Sequence, residues 1–206
     1  MGFIRRFLLP KEVDFDRAML EQAQVARRMV EALHGFCTRA DEDAGSTVED
    51  LARRAQEIRR RNMQELLDVF ITPYDKESIY RMITQLDWIA LAVKHFRLEV
   101  AVYPVSPLGG HEPILGLLRE MARALEDGLA DLGKVPLERT SGEVDRIATL
   151  YDEVVSHCAR AAGALDPDLG CKELLLHRDL LAQLKEVARR IRVAANTLED
   201  MAIKVV

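Results

Sequence analysis

The chain of 206 residues has little of what most ligand chemistry needs. Aromatic residues make up only 5% and show no spacing suited to stacking bases, and the net charge is −5. Electrostatics therefore do not favour nucleic acid as a partner. The three cysteines, Cys37, Cys158 and Cys171, are odd in number and lack metal-ligand spacing. That usage fits reduced thiols and a cytoplasmic protein. No run of eighteen apolar residues occurs, so no segment is expected to span a bilayer. The opening Met1-Gly2-Phe3-Ile4-Arg5-Arg6-Phe7-Leu8-Leu9 has an apolar run too short for a secretory signal, and Arg6 stands where a myristoylation signal needs Ser or Thr. Gly109-Gly110 leads into no Gly-Lys-Ser/Thr word, which excludes a phosphate loop. The histidines, His34, His95, His111, His157 and His177, are scattered, and neighbours His157 and Cys158 would diverge by about 100° on a helix. With no nucleophile–base arrangement, a non-enzymatic protein is expected, with no catalytic, cofactor or metal residue assigned.

What is present is an apolar rhythm. Apolar residues make up 49% and charged residues 31%, enough for a sizeable core under a polar surface. No segment alternates with period two, and six segments carry a seven-residue stripe. The first runs from about Phe15 to Thr38 with Met19, Ala23, Ala26, Val30, Leu33 and Cys37 on one side. Ala44-Gly45 reads as its break, and Ser46-Thr47-Val48-Glu49 as a capping box opening the second helix. The second stripe is Leu51, Ala55, Ile58, Asn62, Leu66 and Val69. Asn62 within it is expected to fix register between helices. The third helix starts at Asp75 as cap and carries Ile79, Met82, Leu86, Ile89, Val93, Phe96 and Val100, and Tyr103 to Gly110 reads as a loop. A fourth begins near Pro113. Gly133 to Gly142 reads as a connection with Ser141 as cap. The fifth ends at Asp166-Pro167-Asp168-Leu169-Gly170. The sixth carries Leu180, Leu184, Val187, Ile191, Ala194, Leu198 and Met201. Both halves consist of three helices with a proline junction before the last. A single domain over 1–206 is expected, with repeats of about 15–103 and 112–204. The fold class is thus all-α: a bundle of six long helices arranged as two three-helix repeats. The third and sixth helices are expected to be the longest and to pack together.

The junction of the second and third helices reads Phe70-Ile71-Thr72-Pro73-Tyr74-Asp75-Lys76-Glu77-Ser78-Ile79-Tyr80. This word resembles the signature of the PhoU-like proteins that accompany Pit-type phosphate transporters. The opening Phe7-Leu8-Leu9-Pro10-Lys11-Glu12-Val13-Asp14-Phe15, the block from Ile58 to Asp87 and the tail Ala195 to Lys204 are similar to that family as well. The resemblance implies a PhoU-like bundle and a regulatory or accessory role in inorganic phosphate transport. It implies a phosphate permease of the Pit type as partner, and a cytoplasmic protein peripheral to the inner membrane through that transporter.

Relatives of this kind hold metals with Glu and Asp four residues apart. In register with Phe70, those positions fall here on Ala52 and Gln56, on Asp87 followed by Trp88 and Leu91, on Ala148 and Asp152, and on Arg189 and Arg192. No full acidic pair remains, so no metal is expected. The same change would suit an anion near Arg189 or Arg192. The run Arg53-Arg54 to Arg59-Arg60-Arg61 reads either as an anion-attracting stripe or as a solvated face balanced by Glu49, Asp50, Glu57 and Glu65. Leu20, Val25, Leu91, Leu117, Leu150 and Leu181 lie outside the main stripes. They suggest self-association as a homo-oligomer. The other readings are an anion- or metal-binding storage protein and a helical scaffold with a vestigial metal site.

Overall fold

A computed structural model describes residues 13–39, 42–103 and 108–205. The described residues form α1 (Phe15–Arg39), α2 (Glu42–Asp68), α3 (Lys76–Val102), α4 (Glu112–Asp131), α5 (Leu137–Gly163) and α6 (Cys171–Val205), with a 3₁₀ turn at Leu108–His111 before α4. No strand occurs among them. The all-α reading holds. The longest helix is α6 with 35 residues, whereas α3 has 27, as do α2 and α5. Only half of the length expectation is met. The opening arm and the segment 104–107 lie outside the described residues.

Each half is a three-helix unit in which every helix touches the other two: α1, α2 and α3 in the first, α4, α5 and α6 in the second. The units join through equivalent helices, α1 against α4 and α3 against α6. The apolar stripes meet in one continuous core, with Phe15, Met29, Leu86, Phe96, Leu118, Ile147, Leu184 and Leu198 fully enclosed. Val25, Leu150 and Leu181 are also buried within the chain, so these three do not need a second copy to cover them.

Two helix starts differ from the sequence expectation. Helix α2 begins at Glu42, so Ala44, Gly45 and Ser46 lie inside it and no capping box forms. The Ser46 and Thr47 hydroxyls donate back to the Asp43 carbonyl at 2.9 and 2.8 Å instead, a bond that serves a helix interior as well as a cap does an end. Gly45 leaves room there: a Cβ would stand 2.9 Å from Nε and Nη2 of Arg97, which would have to shift. Helix α5 begins at Leu137 behind Pro136, and Ser141 and Gly142 are likewise internal. Gly133 is the residue that turns the chain, at φ 69°.

Polar side chains fix how the helices align. Asn62 is fully buried, and its Nδ2 donates to the Ala18 carbonyl at 3.1 Å and to Gln22 Oε1 at 3.2 Å. Gln22 in turn donates to the Ile83 carbonyl at 2.9 Å, so α1, α2 and α3 share one network. Between the halves, Arg27 pairs with Glu126, and Gln183 donates to Glu99 at 3.0 Å. The Arg190 guanidinium stacks over Trp88 at 4.6 Å, so Trp88 joins α3 to α6 although it is 40% exposed.

Candidate functional site

The junction word divides into a structural part and an outward part. Pro73 keeps the preceding residue out of the helical region, and α2 stops at Asp68. Asp75 caps α3: its Oδ1 accepts the Ser78 amide at 2.8 Å and its Oδ2 accepts the Ser78 hydroxyl at 2.7 Å. These bonds hold the Asp75 carboxyl down at about 2, and Lys204 adds to the effect. Lys204 reaches the Ser78 hydroxyl at 3.0 Å and Asp200 at 2.9 Å, so the end of α6 is tied to the start of α3. Tyr74 is buried, and its hydroxyl lies where a Cβ on Gly133 would approach within 3.3 Å. Burial, with the Asp16 carboxylate nearby, raises its phenol above the ordinary range. Phe70 and Ile71 do the opposite. They are 91% and 75% exposed, beside Leu67 at 77%, and form an apolar tip on the hairpin.

The positions at which the resemblance implies metal ligands do not come together as one site. Ala52 and Gln56 line a cleft between α2 and α3 of about 290 Å³, opposite Lys94, Arg97 and Leu98, with Val48, Glu49 and Arg53 completing it. Asp87 lies elsewhere along α3, in an ion pair with Arg59 at 3.1 Å. Burial raises the Asp87 carboxyl, and Arg59 works against that rise. Asp152 is exposed on α5. On α6, Arg189 is engaged by Glu186 at 2.7 and 2.8 Å, and Arg192 lies over the Tyr151 ring at 5.7 Å. Among the described residues, no three His, Cys, Asp or Glu side chains gather as a metal site.

The arginine run on α2 is largely a paired surface. Arg54 and Arg61 converge on Glu21 at 2.8 and 2.6 Å, and Arg53 pairs with Asp50. The bond from Arg61 is the main reason that the Glu21 carboxyl is lowered. Sequence reasoning missed two titratable meetings. His111 and His177 approach each other; burial lowers His111 and the His177 charge adds to it. Glu99 is raised by burial and then by Asp179, with His95 opposing. The thiols are chemically quiet where buried: burial pushes Cys37 up to about 12 and Cys158 up to about 11, which keeps both protonated. No described helix is long and apolar enough to cross a membrane.

No protein-family model matches the chain, and no curated protein is significantly similar to it. Solved structures do match. A PhoU-like protein from Shewanella oneidensis MR-1 superposes with a TM-score of 0.77 at 12% identity, over 93% of this chain and 100% of that one. A putative PhoU-like phosphate regulatory protein from the same organism superposes with a TM-score of 0.76 at 13% identity, with the same coverage. The chain therefore has the PhoU-like all-α fold.

Proposed function

We propose that this chain is a non-enzymatic regulatory or accessory protein for inorganic phosphate transport, which acts by binding a Pit-type permease through the α2–α3 hairpin. The observation that carries this reading is the division of labour in the junction word. Tyr74, Asp75 and Ser78 are spent on holding the turn, whereas Leu67, Phe70 and Ile71 are turned outward. Large side chains exposed this fully cost solubility unless a partner covers them. The fold shared with a structure described as a phosphate regulatory protein supports the direction of the proposal. The chain is read as one cytoplasmic domain built from two copies of a three-helix unit, peripheral to the membrane through its partner. Self-association as a homo-oligomer belongs to the same proposal, with the hairpin tip as a surface that a second copy would compete for.

The test is co-purification of the chain with a Pit-type permease from the same genome, in detergent. The wild type should be retained by the permease, and Phe70→Ser with Ile71→Ser should be lost while keeping its helical circular dichroism. Failure of the wild type to bind, or undiminished binding by the double variant, would reject the proposal.

A further inference from the structure

We infer that the cleft between α2 and α3 is a binding site for a phosphate group. Three cations line it, Arg53, Lys94 and Arg97, against the single carboxylate of Glu49, in a chain whose net charge is −5. Arg53 is partly satisfied by Asp50. Lys94 and Arg97 are in no ion pair among the described residues.

Arg97 is the best-prepared group. Its guanidinium lies over the Phe36 ring at 4.3 Å. Gly45 lies close by, and a Cβ there would stand 2.9 Å from Nε and Nη2 of Arg97. Stacked on a ring, the Arg97 side chain loses less freedom on binding than an unrestrained arginine would. Its Nε, on the edge that faces Gly45, is buried with no hydrogen-bond acceptor, so the guanidinium is not satisfied within the described residues. A guanidinium fork beside an ammonium is the donor set that suits phosphate oxygens. The buried part of the lining is apolar, from Val48 and Ala52, with Leu98 at the exposed edge, which weakens competition from water at the base of the cleft.

The shape narrows the ligand further. At about 290 Å³ the space exceeds what a bare phosphate fills. Glu49 and Gln56 at the rim offer acceptors for hydroxyls. A phosphate carried on a hydroxylated body fits the lining better than the free ion, though both share the recognition chemistry. The inference rests on the cleft alone and stands whether or not the hairpin binds a permease.

Calorimetric titration of the purified protein at low salt, with inorganic phosphate and with glucose 6-phosphate as separate probes, tests it. Saturable binding of either probe is expected, tighter for the sugar phosphate. Tighter binding of inorganic phosphate would assign the site to the free ion. Lys94→Gln, a partly exposed position, should weaken binding at least tenfold with an unchanged melting temperature. Gln56→Glu should abolish it by adding a second carboxylate. Arg189→Gln, outside the cleft lining and paired with Glu186, should leave affinity unchanged. Absence of binding by both probes would overturn the inference. So would Lys94→Gln binding as the wild type does, or an equal loss in Arg189→Gln.

Discussion

Asn62 on α2 and Cys158 on α5 occupy matching places if Ala52 is aligned with Ala148, yet they hold their helices differently. Asn62 is enclosed by hydrogen bonds to the Ala18 carbonyl and to Gln22, and through Gln22 it reaches α3. Cys158 is as buried, but its thiol meets only the Leu181 carbonyl at 3.8 Å, a weak contact. The junctions differ in the same sense. Asp75 caps α3 and is fastened to α6 by Lys204. Asp166 merely accepts the Asp168 amide at 2.9 Å within its own turn. The first half is located by buried polar bonds that a slipped helix could not keep, and the second by apolar packing with more exposed ion pairs, such as Arg139 with Asp131 and Arg146 with Glu120 between α4 and α5. Apolar stripes bring helices together but tolerate sliding; a buried polar group with fixed partners does not.

The strongest test of this comparison asks whether the halves are one cooperative unit. Leu86→Asp in the first half and Leu184→Asp in the second each place an unpaired charge at a fully enclosed position. Each should cost several kcal/mol against a total of roughly 5–15, and abolish the folded state of the whole chain. Circular dichroism that retains half the helical signal would break the picture of a shared core.

Asn62→Ala should cost about 2–3 kcal/mol, because it leaves Gln22 Oε1 without its donor and opens a gap in the core. Cys158→Ala should cost about 1 kcal/mol, the value of a small buried apolar group. Urea denaturation midpoints compare the two, and equal losses would remove the asymmetry.

Asp75→Ala should cost about 1 kcal/mol and exceed the effect of Asp166→Ala. The cap also gives a pH signature. The Asp75 carboxyl lies at about 2 in the folded chain, below its ordinary value near 3.8. A depressed folded value stabilises above the unfolded pKa and is lost as pH falls through the folded one. The gap in melting temperature between wild type and Asp75→Ala should therefore be full at pH 6 and shrink between about pH 4 and pH 2. A gap independent of pH would show that the side chain acts by something other than its charge.

The smallest expected effect is none. Neither half retains an acidic pair at the matched positions, so chelator treatment followed by iron, zinc or manganese should leave the melting temperature unmoved. A rise that disappears in Asp87→Ala or Asp152→Ala would restore a metal site to one half and sharpen the contrast with the other.

Much of this architecture was legible in the order of residues. Stripes such as Met19 to Cys37 and Leu180 to Met201 are repeated local signals, and every residue of them is buried. Pro73 and Asp75 act on their immediate neighbours, so the start of α3 was legible too. The starts of α2 and α5 were not. Ser46 satisfies itself equally well inside a helix, and Gly45 breaks a helix only if nothing else needs the space its missing side chain leaves. That space is occupied by Arg97, more than fifty residues away in sequence. The cleft has the same origin: Ala52 with Gln56, and Lys94 with Arg97, are unremarkable pairs on two separate helices until antiparallel packing sets them face to face. Periodicity and breakers determined which segments are helices and which sides they bury, because those are properties of neighbouring residues. Which charges meet, which glycine is a seat for an arginine and which apolar side chains stay outside were decided only by the tertiary structure, because each depends on how far one helix is shifted along another.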